Sequence, residues 1–420
     1  MKLLLRLYNF LWYLAAPLVA ILLLIKSKKL PAYRKRLAER FGFYRHKEAI
    51  DIWCHAVSVG EVVAASAVVE QALKHGLKVI VTTMTPTGSA QVLNLWGGKI
   101  SHQYCPYDFY FAINNFLIDK QPKVLVVFET ELWPGILSAC FARNIPVILA
   151  NARISNRSYK SYQRTAWFWK NLLAPMAKIY VQSARDEARF LSIGVANHQI
   201  EIAGNLKFAA KDVDKDLLNF WYKFKSCYPQ QTIWVAGSTH PGEEEQILQV
   251  WQQLHAKYPD LMLIIAPRHP ERLTQVKQLL QHNLAIRVQS LSSWQPELGL
   301  DVLLVDKMGV LSSAYAIANI AFVGGSLVPI GGHNILEPLR FGVPVVTGKY
   351  MHNQQDLMTI MQQDNLLSVA ESIEDLSQTM LYLLRNPSDA FGEKAQLVLN
   401  KHQGSLEKHM RGIIKATQLP

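Results

Sequence analysis

From residue 48 onward, short apolar runs alternate with stretches of helical period. Parallel strands need a crossover between them, usually a helix, so this alternation constrains the chain to parallel α/β domains. A first series of candidate strands lies at 50–54, 78–83, 123–128, 146–150, 178–182 and 199–203. After the polar stretch 211–216 a second series follows at 232–236, 261–266, 285–289, 302–305, 320–323 and 343–347. The expected architecture is two Rossmann-like, doubly wound domains over 48–210 and 217–420, joined by a linker at 211–216 and preceded by residues 1–47. At 420 residues the chain can bury two cores, and no repeat of solenoid period is present. Sites in such domains lie in the loops after the carboxyl ends of the strands, here facing a central cleft.

Residues 7–25 read LYNFLWYLAAPLVAILLLI, with no charge. At about 1.5 Å per residue they reach roughly 28 Å, close to the thickness of a bilayer's hydrocarbon. The run ends in Lys26-Ser27-Lys28-Lys29 rather than in a small-residue cleavage site, so an uncleaved anchor is expected, either spanning or lying in one leaflet. Residues 26–47 hold nine Lys and Arg against one acid, Glu39, while Lys2 and Arg6 precede the run. This bias places the body of the protein on the cytoplasmic side, with anionic headgroups holding the basic collar. Most of the formal charge of +12 resides there, so a nucleic-acid partner is not expected. Cys54, Cys105, Cys140 and Cys227 show no paired spacing, which argues against a disulfide framework or a cysteine zinc site.

Signatures for dinucleotides, P-loops, serine hydrolases and zinc peptidases are absent. The D-x-D at 212–214 sits in the charged linker and reads as a solvated loop. Four other segments follow apolar strands. In HAVSVGE (55–61), Glu61 stands in the first turn of a helix, where it complements the dipole or, given apolar surroundings, serves as a general base. In FETELWP (128–134), Glu129 and Glu131 share one face if the strand continues, at a cost that a cation or a hydroxyl-rich ligand offsets. GNLKF (204–208) carries Lys207, suited to a phosphate or developing negative charge. APRHPER (266–272) carries Arg268, whose fork fits phosphate. Further on, GGS (324–326) and GGHNILEP (331–338) frame a glycine-rich turn entering a helix, an anion site in prospect, with Glu337 placed for ribose hydroxyls. Residues 132–184 hold no acid and interleave Lys and Arg with aromatics, which suits an anionic lipid headgroup.

Taken in order, HAVSVGE, FETELWP, NARIS, GNLKF, APRHPER, the GGS turn and GGHNILEP resemble the motif set of the 3-deoxy-D-manno-octulosonic acid (Kdo) transferases, the lipid A glycosyltransferase family 30. The resemblance covers essentially the whole chain, including Arg40-Phe41-Gly42. It implies a GT-B, inverting glycosyltransferase of the cell inner membrane, working in lipopolysaccharide biosynthesis with CMP-Kdo as donor and a tetra-acylated lipid A precursor (lipid IVA) as acceptor. It implies no metal or other cofactor. Glu61 falls on the position of the family's base, and Glu131 and Lys207 on positions that stabilise the transition state. CMP contacts fall on Pro267 and Arg268, on Met308, Gly309 and Val310, and on Asn334, Ile335, Leu336 and Glu337. Val310 departs from the acidic residue that relatives often carry. Members that add one Kdo and members that add several share these motifs. The competing readings are another GT-B sugar transferase, a sugar-nucleotide epimerase, which needs no lipid anchor, and a non-catalytic membrane scaffold binding sugar nucleotide or lipid.

Overall fold

Seven parallel strands build the first sheet: β1 (Ile52–His55), β2 (Val79–Thr83), β3 (Ser101–Tyr104), β4 (Val124–Phe128), β5 (Val147–Ala152), β6 (Lys178–Val181) and β7 (Ile200–Ile202), in the order β3-β2-β1-β4-β5-β6-β7. This computed structural model describes residues 2–29, 31–43, 47–209, 213–282, 286–387, 389–402 and 404–418. Alternate strand residues feed the two faces of the sheet. Trp53, Leu125, Val127 and Leu149 enter one core, and Ile52, Cys54, Val124, Val126 and Phe128 the other. Burial on both faces explains why these strands are nearly continuous apolar runs.

The second sheet repeats the plan with β8 (Thr232–Thr239), β9 (Leu261–Pro267), β10 (Val288–Ser290), β11 (Val302–Leu304), β12 (Ile320–Val323), β13 (Val345–Gly348) and β14 (Leu367–Ala370), in the order β10-β11-β9-β8-β12-β13-β14. Trp234 and Ala236 pack on one side, Ile233 and Val235 on the other. In each sheet the winding reverses between two neighbouring strands, β1 and β4 in the first, β8 and β12 in the second. Loops leaving those strands diverge and open a crevice at the carboxyl edge.

Three expectations need correction. Strands β3 and β14 were not anticipated: β3 is the polar edge run SHQY, and β14 closes the far edge of its sheet. The linker expected at 211–216 is shorter, because the helix Lys215–Ser226 begins inside it. Asp214 caps that helix by accepting from the N–H groups of Asp216 and Leu217, while Lys211 and Asp212 lie outside the described residues, as do Arg45 of the collar and Ala285 of an expected strand. The C-terminal boundary also moves. The chain divides into residues 1–209 with 402–420, and residues 210–401. The helix Ser405–Thr417 returns to the first unit because Met410, Ile413 and Ala416 are apolar at helical spacing and complete its core.

The helix Lys2–Lys29 contains Pro17. Among the described residues no single helix is long and apolar enough to cross a membrane. Leu3–Ala15 and Pro17–Leu23, inclined by 44°, together have the length and composition to do so. Its early turns dock on the first unit: Tyr8 donates to Asp108 at 2.7 Å, the Tyr110 N–H donates to Asn9 at 3.0 Å, and Trp12 stacks on Tyr107. Leu7, Leu11, Leu14 and Leu18 remain exposed. Part of the collar turns inward. Arg40 is buried with its guanidinium 3.8 Å from the centre of the Tyr104 ring and donates to the Met84 carbonyl, and Arg36 donates to the His102 carbonyl.

Candidate active site

The helix Val59–Lys74 starts at Ser58, and Glu61 occupies its third position. There its carboxylate reaches back in a capping box, Oε2 accepting from the Ser58 N–H at 3.0 Å and from the Val57 N–H. Both bonds converge on Oε2, so Oε1 has no hydrogen-bond partner among the described residues. Glu61 is 7% exposed. Burial, then the nearby charges of Glu131 and Glu129, push its carboxyl up to about 8, against the opposing pull of the two amides. A carboxylate at a helix start ordinarily stays acidic; here desolvation and like charge outweigh the dipole.

The two carboxylates come from the loop after β4, which neighbours β1 in the sheet. The condition for a shared face fails, because the strand ends at Phe128 and does not continue through Glu129. Its N–H still donates to the Ala150 carbonyl, but its φ of +59° breaks the extended chain, so the pair meets through a turn and not through strand periodicity. A left-handed, non-glycine residue costs about 1–3 kcal/mol, a strain that concentrates at functional sites. Glu129 is held from two sides: Arg153 Nε donates to Oε2 at 2.9 Å, and Lys207 Nζ lies 3.5 Å from Oε1. Glu131 accepts from the Trp133 indole at 2.8 Å, and its carboxyl is raised by burial and then by Glu129. Beneath the site the buried His55 meets Thr82 at 3.0 Å and packs edge-on against Trp133, its imidazole lowered to about 4 by burial.

Lys207 is placed by an unexpected route. Asn151, at φ +53°, accepts the Leu206 N–H on Oδ1, and Asn205 Oδ1 accepts the Lys207 N–H. The returning C-terminal segment braces the same turn. Asn205 donates its N–H to His402 Nδ1, Ser405 donates to the Gly204 carbonyl, and His402 stacks on Phe208 with ring centres 4.0 Å apart. His409 accepts the Asn151 N–H. Glu61, Glu131 and Lys207 are thus brought to one site with Glu129. The bracing by Asn151, His402 and His409 was missed, because no local pattern marks a contact some 200 residues away in sequence.

In the second unit the positions to which the resemblance assigns CMP contacts lie at or beyond strand ends. Pro267 ends β9 and the exposed Arg268 follows it, its N–H donating to the Thr239 carbonyl. Met308 is exposed, Gly309 turns the chain at φ +81°, and the carbonyl of the buried Val310 accepts from the Trp221 indole. Ile335 and Leu336 are buried, whereas Asn334 and Glu337 reach the surface and meet at 3.2 Å. The helix beyond, Leu336–Leu339, is a single turn whose first N–H goes to Asn334 Oδ1. The GGS turn also differs from the anticipated cradle. Glu243 fills it, accepting from the N–H groups of His240, Gly325, Ser326 and Leu327 at 2.7–2.9 Å. Neither Glu243 nor His240 was singled out from sequence, although His240 follows a buried strand just as Arg268 does.

Residues 35–210 match the family described as 3-Deoxy-D-manno-octulosonic-acid transferase (kdotransferase). The 3-deoxy-D-manno-octulosonic acid transferase of Haemophilus influenzae is 37% identical over 410 residues, covering 96% of both chains. The chain belongs to the 3-deoxy-D-manno-octulosonic acid transferase family. This Kdo transferase is therefore a glycosyltransferase. A Rickettsia bellii protein of the same name is 30% identical, covering 98% of this chain and 99% of its own. The solved C-terminal CMP-Kdo binding domain of WaaA from Acinetobacter baumannii is 30% identical, covers 45% of this Kdo transferase and all of that domain, and gives a TM-score of 0.42. The MurG structure from Acinetobacter baumannii, 12% identical with a TM-score of 0.52, covers 88% of this chain and 99% of its own and shares the two-sheet fold.

Proposed function

We propose that this Kdo transferase moves Kdo from CMP-Kdo to a tetra-acylated lipid A precursor with inversion, in lipopolysaccharide biosynthesis, with Glu61 as general base. The observation that carries the reading is a carboxylate buried beside two others, raised to about 8 and with one oxygen uncommitted. A base of that strength accepts a hydroxyl proton far more readily than an ordinary glutamate does. Glu61 Oε1 takes the proton of the acceptor hydroxyl as its oxygen attacks the anomeric carbon. The bond from that carbon to the CMP phosphate oxygen breaks on the opposite face, and CMP leaves with the bonding pair.

The transition state has oxocarbenium character. Glu131 faces that developing positive charge, and Lys207 the negative charge accumulating opposite it. The first unit takes the acceptor and the second takes CMP, through Pro267 and Arg268, the 308–310 turn and Asn334 to Glu337. Lys207 and Arg268 supply the positive charge in the proposed reaction, which needs no metal ion. The helix Lys2–Lys29, with its exposed leucines and following cations, anchors the enzyme to the inner membrane, spanning it or lying in its cytoplasmic leaflet with the two units on the cytoplasmic side.

Mass spectrometry of the lipid after incubation of the detergent-solubilised protein with CMP-Kdo and lipid A precursor, in EDTA, tests the reading. Mass gains in units of Kdo support the reaction and its independence from metal. A product that forms after magnesium is restored, and not in EDTA, overturns the metal-free step. No gain under either condition overturns the donor and acceptor assignment.

A further inference from the structure

The second unit holds two imidazoles that the reaction above leaves without a task. His240 follows β8 and His333 lies in the loop after β12, the two strands between which the winding reverses. Their Nε2 atoms are 2.8 Å apart, with ring planes within 6° of parallel. Two imidazole nitrogens at that separation share one proton, one donating and the other accepting. The arrangement is built in. Gly325, at φ +68°, leaves room for the His333 ring, since a Cβ there would stand 3.1–3.2 Å from its Cδ2 and Nε2. Any larger residue at 325 would press on the ring.

Two arginines and a third imidazole surround the pair. His269 packs edge-on against His240 with centres 5.2 Å apart, and Arg268 acts on both rings. Arg272 also acts on His240, although it is engaged by Glu244, and Glu271 lies 3.7 Å from His269. Glu243 accepts the His240 N–H, and its oxygens are occupied by that and three further N–H groups. The amides of the 325–327 turn are therefore taken by Glu243 and are not open to an anion beside Arg268. Burial first, then Arg268 and the neighbouring rings, lower His333 to about 3 and lower His240 as well, so the pair is uncharged at neutral pH.

We propose that His240 and His333 form a proton-accepting site for a phosphate monoester, taking one proton from solvent as the dianion binds beside Arg268. The proton enters at the accepting Nε2, the bond between the rings opens, and each ring then presents an N–H to a phosphate oxygen. This deepens the donor-site reading and rests on it. The phosphate of CMP-Kdo is a diester with a single charge, whereas CMP is a monoester whose second ionisation lies at about pH 6. The pair follows the charge that appears on the leaving group.

Calorimetric titration of the full-length protein with CMP, at about pH 7.5 in buffers of different ionisation heat, reads the proton directly. The expected uptake is about one proton per CMP bound. H240N and H333Q should bring it to about zero and weaken CMP by about tenfold while leaving the unfolding temperature unchanged. Binding without proton uptake by the unaltered protein, or uptake retained in both variants, overturns the proposal and leaves the donor site standing. Absence of CMP binding overturns the donor-site reading instead. Inorganic phosphate then probes the pair alone: uptake lost in H240N upholds the pair, and no uptake overturns it.

Discussion

Lys207 Nζ lies 3.5 Å from Glu129 Oε1, and Arg153 holds the other oxygen of the same carboxylate at 2.9 Å. Glu129 therefore positions the lysine that the family resemblance places at the transition state, and its charge also raises Glu61. One strained residue in the turn after β4 thus acts on both Lys207 and Glu61.

Replacing Glu129 with Gln separates these two effects. Removing its charge lowers the pKa of Glu61, so the acidic limb of kcat/KM should move to lower pH, and loosened Lys207 should lower kcat by about ten- to a hundredfold. A pH–rate profile of E129Q beside the unaltered enzyme checks both. An unmoved limb would mean that Glu129 does not act on Glu61.

Truncating Ile413 tests the return of the C-terminal helix. Ile413 is fully buried in the core of the first unit. I413A should cost about 2–5 kcal/mol and lower the Tm of that unit by roughly 5–15 °C. Thermal unfolding followed by circular dichroism measures it, and a Tm unchanged within error would separate this helix from the core.

His402 braces the turn that carries Lys207. His402→Ala removes the acceptor of the Asn205 N–H and the ring beneath Phe208. Turnover should fall about tenfold through kcat, with little change in the KM for CMP-Kdo, whose proposed contacts lie in the second unit. Steady-state kinetics with CMP-Kdo varied distinguishes this from a general loss of folded protein, which would reduce the number of active sites and leave kcat per site intact.

Leu14 and Leu18 are exposed on the N-terminal helix, at 63% and 58%. Placing Glu at both should abolish flotation with anionic vesicles, because each charge costs about 2.5–3.5 kcal/mol in hydrocarbon. Turnover of a deacylated, water-soluble acceptor should persist. Flotation retained by the double variant would place the membrane contact elsewhere.

The parallel α/β plan was legible because strands buried on both faces must be apolar throughout: 320–323 coincides with β12, and 123–128 differs from β4 by one residue. Where burial is one-sided, at an edge, the signal fails, and SHQY of β3 carries too little apolar character to register. The placement of Glu61 and Lys207 was legible for a different reason, since each follows a strand at the carboxyl edge of the sheet. The pKa of Glu61 was not, because it depends on burial and on carboxylates from another loop. Glu243 was equally hidden: nothing local to it announces that four amides, three of them from a turn some 80 residues on, converge on its oxygens.

The pH dependence of kcat/KM tests the central claim most directly. Glu61 must be ionised to accept the proton, and its carboxyl titrates at about 8, so activity should rise with pH up to a limb near that value. E61Q should lose about 10²- to 10⁴-fold in turnover while still binding CMP. A limb near the ordinary glutamate value, or turnover retained by E61Q, would contradict Glu61 as the base.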